Sequence, residues 1–538
     1  CFAAMCGHTN KRGGGPGMTM YSTPDEMVYE ERLSSAWNSG SSRVDPWSGA
    51  TIATNLSAYP HTAITGNDWR TPEQIAEAVK LETAWYENPQ TGESTYPYGM
   101  RPNGPIDVSG REKPIQLDCF VVVHANYMVS QANTNKWAVA LREHLKSLIV
   151  ADLHMTPTAR YADVVFPIAS HFESEYFGDP FIYGPTARFY HGKAIEPMYE
   201  CWTEEKFEQT LWSKVNDALG ISNGDISEGG IPAYFAETAR PSGEATYTTR
   251  IAPSTYYKEL VTENVQTPSW EELKNKGFYD LTIPADKPMV GMRDIIIPGS
   301  VDPKTNQEIP EDHKIATSTG RINFFSPFWY LRMQTLKQDP ANPASAGFRT
   351  ATAKYIPNRE GYEKFFADID LKNFTGFTSP NSQRTYKLLY LCNKPRYRAQ
   401  SVLDNVSMIK NEVKHHGVRM NAIDAAERGI KDGDLVYVYN DRGCIKVHAE
   451  VSYRLPPGVV SVEHGVWYRP ATDENEQVTI WMCKNKDNKT YEPVKVPVDL
   501  GGCANVLTDD CFTLDPTFCV QTLAAQGGPC EVSLTKPE

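Results

Sequence analysis

The sequence predicts an α/β part followed by a small β-barrel, and two observations support this fold class. Two apolar runs, at residues 120–126 and 148–152, flank a helix-like segment. That arrangement is typical of a βαβ unit with a buried parallel sheet. After residue 383 the chain contains several short strand-like runs and few helical ones. A series of short strands with few helices is typical of a barrel.

Composition limits the classes of protein to which this chain can belong. It has 538 residues, 40% of them hydrophobic, which is enough for roughly two to four domains with sizeable cores. The net charge of −13 argues against a nucleic-acid partner, because such proteins need a basic face. No run of about eighteen apolar residues is present, so no membrane-spanning segment is predicted. The chain opens at Cys1 inside an apolar, helix-like stretch, and we therefore expect it to be a fragment.

The eleven cysteines do not have the spacing of a metal site. No two of them form the Cys-x-x-Cys pair that iron–sulfur clusters and structural zinc sites usually need. Cys503, Cys511 and Cys519 recur every eight residues but lie in a loop-rich region. His415 and His416 are adjacent, so their side chains point apart. Scattered free thiols and no metal ligand are therefore expected.

The first part of the chain is predicted to bind a nucleotide. A glycine-rich turn at residues 7–18 precedes a polar insert at residues 22–118, in which a helix starts near Pro72. The two predicted strands that follow the insert stop at Asn126 and Asp152. Ligands of open α/β sheets bind outside the carboxyl ends of the strands, where an acid accepts hydrogen bonds from ribose hydroxyls.

Caps, turns and alternation predict the later elements. An amphipathic helix is predicted from Glu204 to Leu219, ending at Gly220. Residues 221–382 alternate short helices with proline-rich loops. Further predictions are a turn and strand at 317–326, a strand at 387–392, a capped helix at 421–429, a hairpin with strands 435–439 and 444–451, and a strand at 459–463.

Five segments carry motifs in a fixed order. They are Asp152, Thr156, Thr158, Ala159, Ala162, Asp163 and Pro167, with Glu173 behind them; Ser318-Thr-Gly-Arg-Ile322; Asn421-Ala-Ile-Asp-Ala425 through Asn440-Asp-Arg-Gly443; His464-Gly-Val-Trp-Tyr468; and Gly501-Gly-Cys-Ala-Asn-Val-Leu-Thr508. Together they resemble the dimethyl sulfoxide reductase family of molybdopterin oxidoreductases. The resemblance spans residues 120–508 and covers the C-terminal portion of such a catalytic subunit.

This resemblance implies a fold, a domain organisation and a cofactor. The fold is α/β, with a Rossmann-like parallel sheet domain followed by a C-terminal double-psi β-barrel. The implied domains are residues 1–220 with the insert 22–118, a loop-rich substrate-funnel region at 221–382, and a cofactor-binding barrel at 383–538. The implied cofactor is bis(molybdopterin guanine dinucleotide) around molybdenum or tungsten. An iron–sulfur cluster is expected only in the N-terminal part that this chain lacks.

The resemblance also implies which residues bind this cofactor. Asn126 corresponds to a loop contact, and Glu204 to an acid at the start of the next helix. Asp152 would hold the guanosine arm with the backbone of Ala151, and Asn505 would bind a pterin edge. Gln400 stands where the family often has His. The remaining implied contacts, most of them in the loop that reaches the pterin and diphosphate groups, are Arg396, Arg398, Gln400, Ser401, Asn405 and Gln521.

Structural roles are the alternative at several of these positions. Asp152 also fits a cap of the next turn, and Asn505 fits a turn position. Arg396 and Arg398 also fit a solvated basic spot. Helix capping, turn formation or packing is expected at five further positions: Asn421, Asp424, Glu173, His464 and Trp467.

By resemblance, the intact enzyme transfers two electrons, usually with an oxygen atom, in anaerobic respiration. The closest branch is that of dimethyl sulfoxide reductase, which includes reductive dehydroxylases of aromatic substrates. An iron–sulfur subunit, a membrane anchor and a periplasmic location are implied by analogy. No catalytic residue or metal ligand is identifiable in this chain. The alternatives are a non-catalytic scaffold with a degenerate cofactor site and a hydrolase that uses Cys1 as an N-terminal nucleophile.

Overall fold

The computed structural model describes nine stretches of the chain. They are residues 119–130, 132–143, 145–178, 187–220, 269–280, 376–408, 417–483, 491–508 and 527–538. Several sequence predictions lie outside the described residues. These are the glycine-rich turn at 7–18, the insert 22–118 with its helix near Pro72, the turn and strand at 317–326, the pair His415 and His416, and Gln521.

Three strands form a parallel sheet in the order β1-β2-β3. The elements are β1 (Cys119–Val123), α1 (Tyr127–Ser130), α2 (Thr134–Glu143), β2 (Ser147–Asp152) and β3 (Val164–Pro167). The two helices form the crossover between β1 and β2, so the predicted βαβ unit is confirmed. In the β1–β2 register Val123 lies beside Ala151, which places the two strand ends next to each other.

The strands β1 and β2 pack against different parts of the chain on their two faces, whereas the side chains of β3 are exposed. Successive side chains of a strand point to opposite faces. One face packs against Phe207 and Leu211 of α3 (Glu204–Leu219), which ends at Gly220 as predicted. The other face, with Val122 and Val150, belongs to a large core shared with the barrel. Burial on both faces explains why these strands appear in the sequence as continuous apolar runs.

A small antiparallel sheet follows. Its elements are β4 (Tyr176–Gly178), β5 (Ala187–His191), α4 (Trp270–Lys276) and β6 (Phe278–Asp280). Ser269 caps α4 by accepting a hydrogen bond from the Glu272 N–H at 3.2 Å, and Gly277 ends the helix in the left-handed region. The Trp270 ring meets the Tyr190 ring edge-on at 5.5 Å, which joins the helix to the sheet.

The last part of the chain forms a closed barrel with two accessory hairpins. Its elements are β7 (Phe377–Thr378), β8 (Thr385–Tyr386), β9 (Leu388–Asn393), β10 (Gly417–Met420), α5 (Ala422–Glu427), β11 (Leu435–Asn440), β12 (Gly443–Val451), β13 (Val459–Glu463), β14 (Gln477–Cys483), β15 (Tyr491–Pro497) and β16 (Gly528–Ser533). The order around the barrel is β10-β12-β11-β16-β9-β13. Neighbours pair antiparallel, except that β10 pairs with β12 and β9 with β13 in parallel.

The short helix and the hairpin confirm the sequence predictions, with ends shifted by a residue or two. The Asn421 Oδ1 accepts the Ile423 N–H at 2.8 Å and so caps α5, which Gly429 closes at a positive φ. Asp424 accepts the Gly458 N–H at 2.8 Å and holds the turn before β13. The structural roles expected at Asn421 and Asp424 are therefore confirmed.

The sheet and the barrel meet at what we call the seam, formed by residues 126–130 and 132–143 on one side and by 440–443 and 499–508 on the other. Asn135 of α2 is buried there. Its Nδ2 donates to the Arg442 carbonyl at 2.9 Å, and its Oδ1 accepts from the Tyr468 hydroxyl at 3.2 Å. A Cβ on Gly443 would lie 2.6 Å from the Asn135 Nδ2 and 2.3 Å from a Val506 methyl group. Glycine at 443 is therefore needed for the close approach of β12 to the seam.

Among the described residues, no helix has both the length and the apolar character needed to cross a membrane. Six cysteines there are free thiols, namely Cys119, Cys201, Cys392, Cys444, Cys503 and Cys530.

Asn135→Ala is expected to weaken the seam. It removes a hydrogen bond from the Tyr468 hydroxyl, which keeps Tyr161 as a partner, and another from the Arg442 carbonyl, so the free energy of unfolding should fall by on the order of 1–3 kcal/mol. The matched control is Asn475→Ala, where an exposed amide is lost and about 0.5 kcal/mol is expected. Urea denaturation of both variants measures this difference. Equal losses would mean that the seam does not depend on Asn135.

Candidate functional site

Asn126 lies just beyond the carboxyl end of β1. Its carbonyl accepts the Val129 and Ser130 N–H groups and so begins α1. Its Oδ1 accepts the Thr158 hydroxyl at 3.0 Å, and the Thr158 oxygen accepts the Met128 N–H at 3.1 Å. The Asn126 Nδ2 is buried with no protein partner among the described residues. Two N–H donors are thus fixed in place for a ligand, because a buried amide without a partner is costly.

Asp152 and Glu204 lie at the same edge of the sheet. Asp152 ends β2 and is half-buried, and the His154 N–H lies 3.4 Å from its Oδ1. Ala151 is fully buried, and its carbonyl accepts the His124 N–H at 3.0 Å. Glu204 begins α3, and its carboxylate lies 3.6 Å from the His124 Nε2. The structure therefore brings all three predicted residues to the strand ends.

Arg398 of the barrel is buried and bound by protein groups. Its guanidinium donates to Asp404 Oδ1 at 3.0 Å, to the Gly465 carbonyl at 2.9 Å and to the His464 carbonyl at 3.1 Å. Burial lowers the pKa of Arg398, and the carboxylate of Asp404 opposes that shift. These contacts give Arg398 a structural role inside the barrel, whereas Arg396 is exposed.

The other predicted residues of this loop have different surroundings. Ser401 is half-buried, and its carbonyl accepts the Trp467 Nε1–H at 2.7 Å. Asn405 is exposed. Gln400 is exposed, and its Oε1 lies 2.7 Å from the His464 Nε2. His464 and Trp467 are both buried, which confirms the packing role expected for them.

Asp499 shapes the turn that carries Asn505. Its buried carboxylate accepts four backbone N–H groups at 2.6–3.0 Å, those of Arg469, Gly501, Gly502 and Cys503. Burial raises the pKa of Asp499, and these amide hydrogen bonds act in the opposite direction. A Cβ on Gly501 would lie 2.0 Å from the Trp467 carbonyl, so this turn needs glycine for close approach.

Asn505 crosses the seam. Its Nδ2 donates to the Val129 carbonyl of α1, while its Oδ1 is buried without a protein partner among the described residues. Asn126 begins the same helix, so an unpaired amide donor and an unpaired amide acceptor lie against one short helix. A pterin edge presents both ring N–H donors and oxygen or nitrogen acceptors. The residues present therefore fit a pterin ligand at this seam.

Two further side chains, His464 and Glu173, have shifted pKa values. Burial lowers the pKa of His464 below its ordinary 6.5, and the cations Lys394 and Arg398 lower it further. A hydrogen bond from the Ser170 side chain lowers the pKa of Glu173, and so do the N–H groups of Met198 and Ser170, which its carboxylate accepts at 2.7 and 2.8 Å. The structural role expected for Glu173 is confirmed. Among the described residues, no group of three or more His, Cys, Asp or Glu side chains could hold a metal ion.

Four residues of the site were not found from the sequence. Asp404 lies six positions after Arg398, but spacing in a loop does not show which charges pair. Asp499 stands two residues before the pair Gly501-Gly502. An acid at this spacing from two glycines is the sequence pattern that could have indicated a carboxylate bound to backbone amides. His124 and Asn135 reach their partners only through the tertiary fold.

Two family models match the chain. The model described as Molybdopterin oxidoreductase matches residues 96–177, which include the parallel sheet. The model described as Molydopterin dinucleotide binding domain matches residues 388–517, which include most of the barrel.

The curated relatives are similar over a longer range. Dimethyl sulfoxide/trimethylamine N-oxide reductase of Cereibacter sphaeroides is 25% identical, over 63% of this chain and 34% of its own length. Dimethyl sulfoxide reductase DmsA of Escherichia coli (strain K12) is 24% identical, over 67% and 35%. The pyrogallol hydroxytransferase large subunit of Pelobacter acidigallici is 23% identical, over 70% and 39%. The matched region is thus between 34% and 39% of the length of these relatives.

Asp404→Asn is expected to destabilise the barrel strongly. It removes the nearer carboxylate from the buried Arg398 and leaves only Glu463 at 4.0 Å, so the free energy of unfolding should fall by on the order of 3 kcal/mol. Glu450→Gln is the matched control, because it breaks the exposed pair with Arg419 at a cost of about 1 kcal/mol or less. Guanidinium denaturation compares the two. A loss at Asp404 no larger than that at Glu450 would contradict the role given to this pair.

The lowered pKa of His464 predicts a pH dependence of stability. Below about pH 6.5 the unfolded chain binds a proton that the folded protein excludes, so stability is lost as pH falls from there toward the folded pKa. The slope from this group is at most about 1.4 kcal/mol per pH unit. His464→Gln should make the fall in unfolding free energy between pH 7 and pH 5 shallower. An unchanged slope in that variant would rule out His464 as the source.

Proposed function

We propose that the chain is a member of the dimethyl sulfoxide reductase family of molybdopterin oxidoreductases and forms the cofactor-binding wall of a catalytic subunit. The family resemblance predicted from the sequence is confirmed by these matches. The cofactor is bis(molybdopterin guanine dinucleotide). The enzyme carries out two-electron or oxygen-atom transfer in anaerobic respiration.

One observation carries this proposal. The Asn126 Nδ2 and the Asn505 Oδ1, neither of which has a partner in the described part of the chain, lie against the same helix, one from the α/β part and one from the barrel. A donor and an acceptor held this way match the edge of a pterin. A degenerate scaffold would have no reason to keep both groups buried without partners, since each costs about 1–3 kcal/mol.

The barrel topology supports a double-psi fold. Two parallel strand pairs, β10 with β12 and β9 with β13, interrupt an otherwise antiparallel barrel. The proposed domains are residues 1–220, 221–382 and 383–538, with the insert at 22–118. In this organisation the barrel closes over the pterins, and the α/β part holds a guanosine arm.

Residues of this chain hold and orient the cofactor. Asp152 and Glu204, at the carboxyl edge of the sheet, accept hydrogen bonds from the guanosine arm. Asn126 and Asn505 bind the pterin edge. The barrel loop offers its exposed donors to the diphosphate, and the implied contacts on the barrel side are Arg396, Gln400, Ser401, Asn405 and Gln521. The bound cofactor supplies the two-electron chemistry, while the protein supplies binding and orientation.

Several further proposals follow from the family. The metal is molybdenum or tungsten. An iron–sulfur cluster lies in a further N-terminal part of the enzyme, and electrons pass through an iron–sulfur subunit and a membrane anchor to a catalytic subunit in the periplasm. The relatives named dimethyl sulfoxide reductase support a sulfoxide or N-oxide substrate.

A second candidate activity is supported by another relative. The similarity to the pyrogallol hydroxytransferase large subunit extends over 70% of this chain. It favours hydroxylated aromatic substrates, and reductive dehydroxylation is the corresponding activity on the same scaffold. Turnover with sulfoxides and N-oxides, compared with turnover of polyhydroxylated aromatics, distinguishes the two substrate classes.

The proposed function is tested by analysing the protein encoded by the complete gene, purified anaerobically from a host that makes molybdopterin. Metal analysis and release of guanine nucleotide by acid hydrolysis measure the cofactor. Molybdenum or tungsten with about two guanine nucleotides per subunit is expected. Protein free of metal and nucleotide would contradict the proposal and favour a non-catalytic scaffold.

Asn126→Asp is expected to lower the cofactor content about tenfold. The variant keeps the acceptor for the Thr158 hydroxyl but replaces the unpaired donor by an oxygen, so the pterin loses a hydrogen bond and meets a repulsive group. Asn475→Asp makes the same substitution on an exposed side chain and should retain the cofactor. Guanine nucleotide per subunit is measured after gel filtration. Equal content in both variants would exclude Asn126 from the site.

A further inference from the structure

A set of contacts, which we call the clamp, holds the loop 396–405 against the turn 464–467. Arg398 donates to the carbonyls of His464 and Gly465 at 3.1 and 2.9 Å. Trp467 donates its Nε1–H to the Ser401 carbonyl at 2.7 Å. A Cβ on Gly465 would lie 2.2 Å from the carbonyl oxygen of Gln400, so only glycine allows this approach. The clamp therefore fixes the backbone on both sides of Gln400.

Gln400 itself has an unusual backbone conformation. Its φ is +53°, in the left-handed region that costs a non-glycine residue about 1–2 kcal/mol. Such a conformation persists only where the surroundings determine it, and it is concentrated at functional sites. The side chain of Gln400 is nevertheless exposed. The strained backbone of Gln400, held by the clamp, thus carries an exposed polar side chain.

The hydrogen bond to His464 sets the orientation of the Gln400 amide. The His464 Nε2 lies 2.7 Å from the Gln400 Oε1. An amide oxygen only accepts, so the Nε2 carries the proton and donates. The Gln400 N–H2 group is then the free end of the side chain, and the His464 Nδ1 is a bare, buried acceptor without a protein partner among the described residues.

The surroundings of His464 favour this arrangement over a flipped amide, in which the Gln400 side chain is turned by half a rotation and its N–H2 group donates to Nε2. A flipped amide would require a protonated Nδ1, which would be a buried N–H without a partner. Two cations, Lys394 and Arg398, act on the ring, and Arg398 is itself paired with Asp404 and lies 4.0 Å from Glu463. These cations disfavour the doubly protonated ring, so His464 is neutral and one of its two nitrogens carries no proton. The neutral tautomer with its proton on Nε2 is therefore the stable one.

We propose that His464 is a positioning residue that fixes Gln400 so that the Gln400 N–H2 group donates to the diphosphate of the bound dinucleotide. This inference rests on the proposed function. The Arg398 guanidinium is bound by protein groups inside the clamp, so Gln400 adds a second donor for an anionic ligand beside the exposed Arg396. Gln400 supplies that donor from a position where the backbone, the amide orientation and the exposure are all fixed.

Three variants, in the complete gene product, test this role through retained guanine nucleotide after gel filtration. Gln400→Glu still accepts the His464 N–H but replaces the donor by a negative charge, and retention should fall about tenfold. His464→Phe removes the hydrogen bond that orients Gln400, and retention should fall several-fold. His464→Gln keeps an N–H donor toward Gln400 and should restore retention to nearly the wild-type level. If His464→Phe does not fold, the comparison of Gln400→Glu with His464→Gln still tests whether retention of guanine nucleotide depends on the Gln400 donor.

A second readout needs no cofactor. Long-range ¹⁵N–¹H spectra of histidine-labelled protein report the tautomer of each ring, and His464 is assigned by the signal that His464→Gln removes. The tautomer protonated at Nε2 is expected. A ring protonated at Nδ1 would overturn the proposed orientation.

The outcomes separate the two proposals. Wild-type protein without guanine nucleotide contradicts the proposed function. Wild-type protein that carries nucleotide, together with Gln400→Glu protein that carries as much, overturns the role of Gln400 and His464 and leaves the proposed function intact.

Discussion

The candidate site depends on polar groups buried within an apolar core that the sheet and the barrel share. Asn135 and Asn505 cross this seam, each bonded to a backbone carbonyl on the opposite side. A buried hydrogen bond contributes only about 1 kcal/mol when made, but leaving its partners unpaired costs more. These amides therefore set the relative position of the two parts more strictly than apolar packing alone would. Asp499 also fixes the backbone through buried hydrogen bonds, because its carboxylate accepts the N–H groups of the turn that carries Asn505.

The same constraint leaves two groups free for a ligand. Once Asn126 has bonded to Thr158 and Asn505 to Val129, each amide has one end without a partner among the residues that the structure describes, a donor on the sheet side and an acceptor on the barrel side. Neither part alone could offer both. A cofactor that binds here therefore completes the buried hydrogen bonds of the seam as well as serving chemistry, which explains why the barrel must pack against the sheet. Removal of the cofactor should accordingly expose these two amides to water.

Local patterns in the sequence predicted much of the fold because they reflect interactions between residues that are close together in the chain. The apolar runs of the βαβ unit, the Asn421 cap and the glycine at 429 each describe an interaction within a few residues. The site was less predictable. Arg396 and Arg398 look alike in the sequence, yet one is exposed and the other is buried against Asp404, because the partner of a charge is decided by tertiary packing. The unpaired atoms at the seam likewise depend on which half of each amide the fold has already used.

The most direct test of this account is an experimental structure of the protein purified with its cofactor from a molybdopterin-producing host. The account predicts pterin density at the seam, with ligand atoms within hydrogen-bonding distance of the Asn126 Nδ2 and the Asn505 Oδ1. It also predicts that Arg398 remains paired with Asp404 in that complex. A structure in which both asparagines bond to protein groups, while the dinucleotide lies elsewhere, would contradict the central claim.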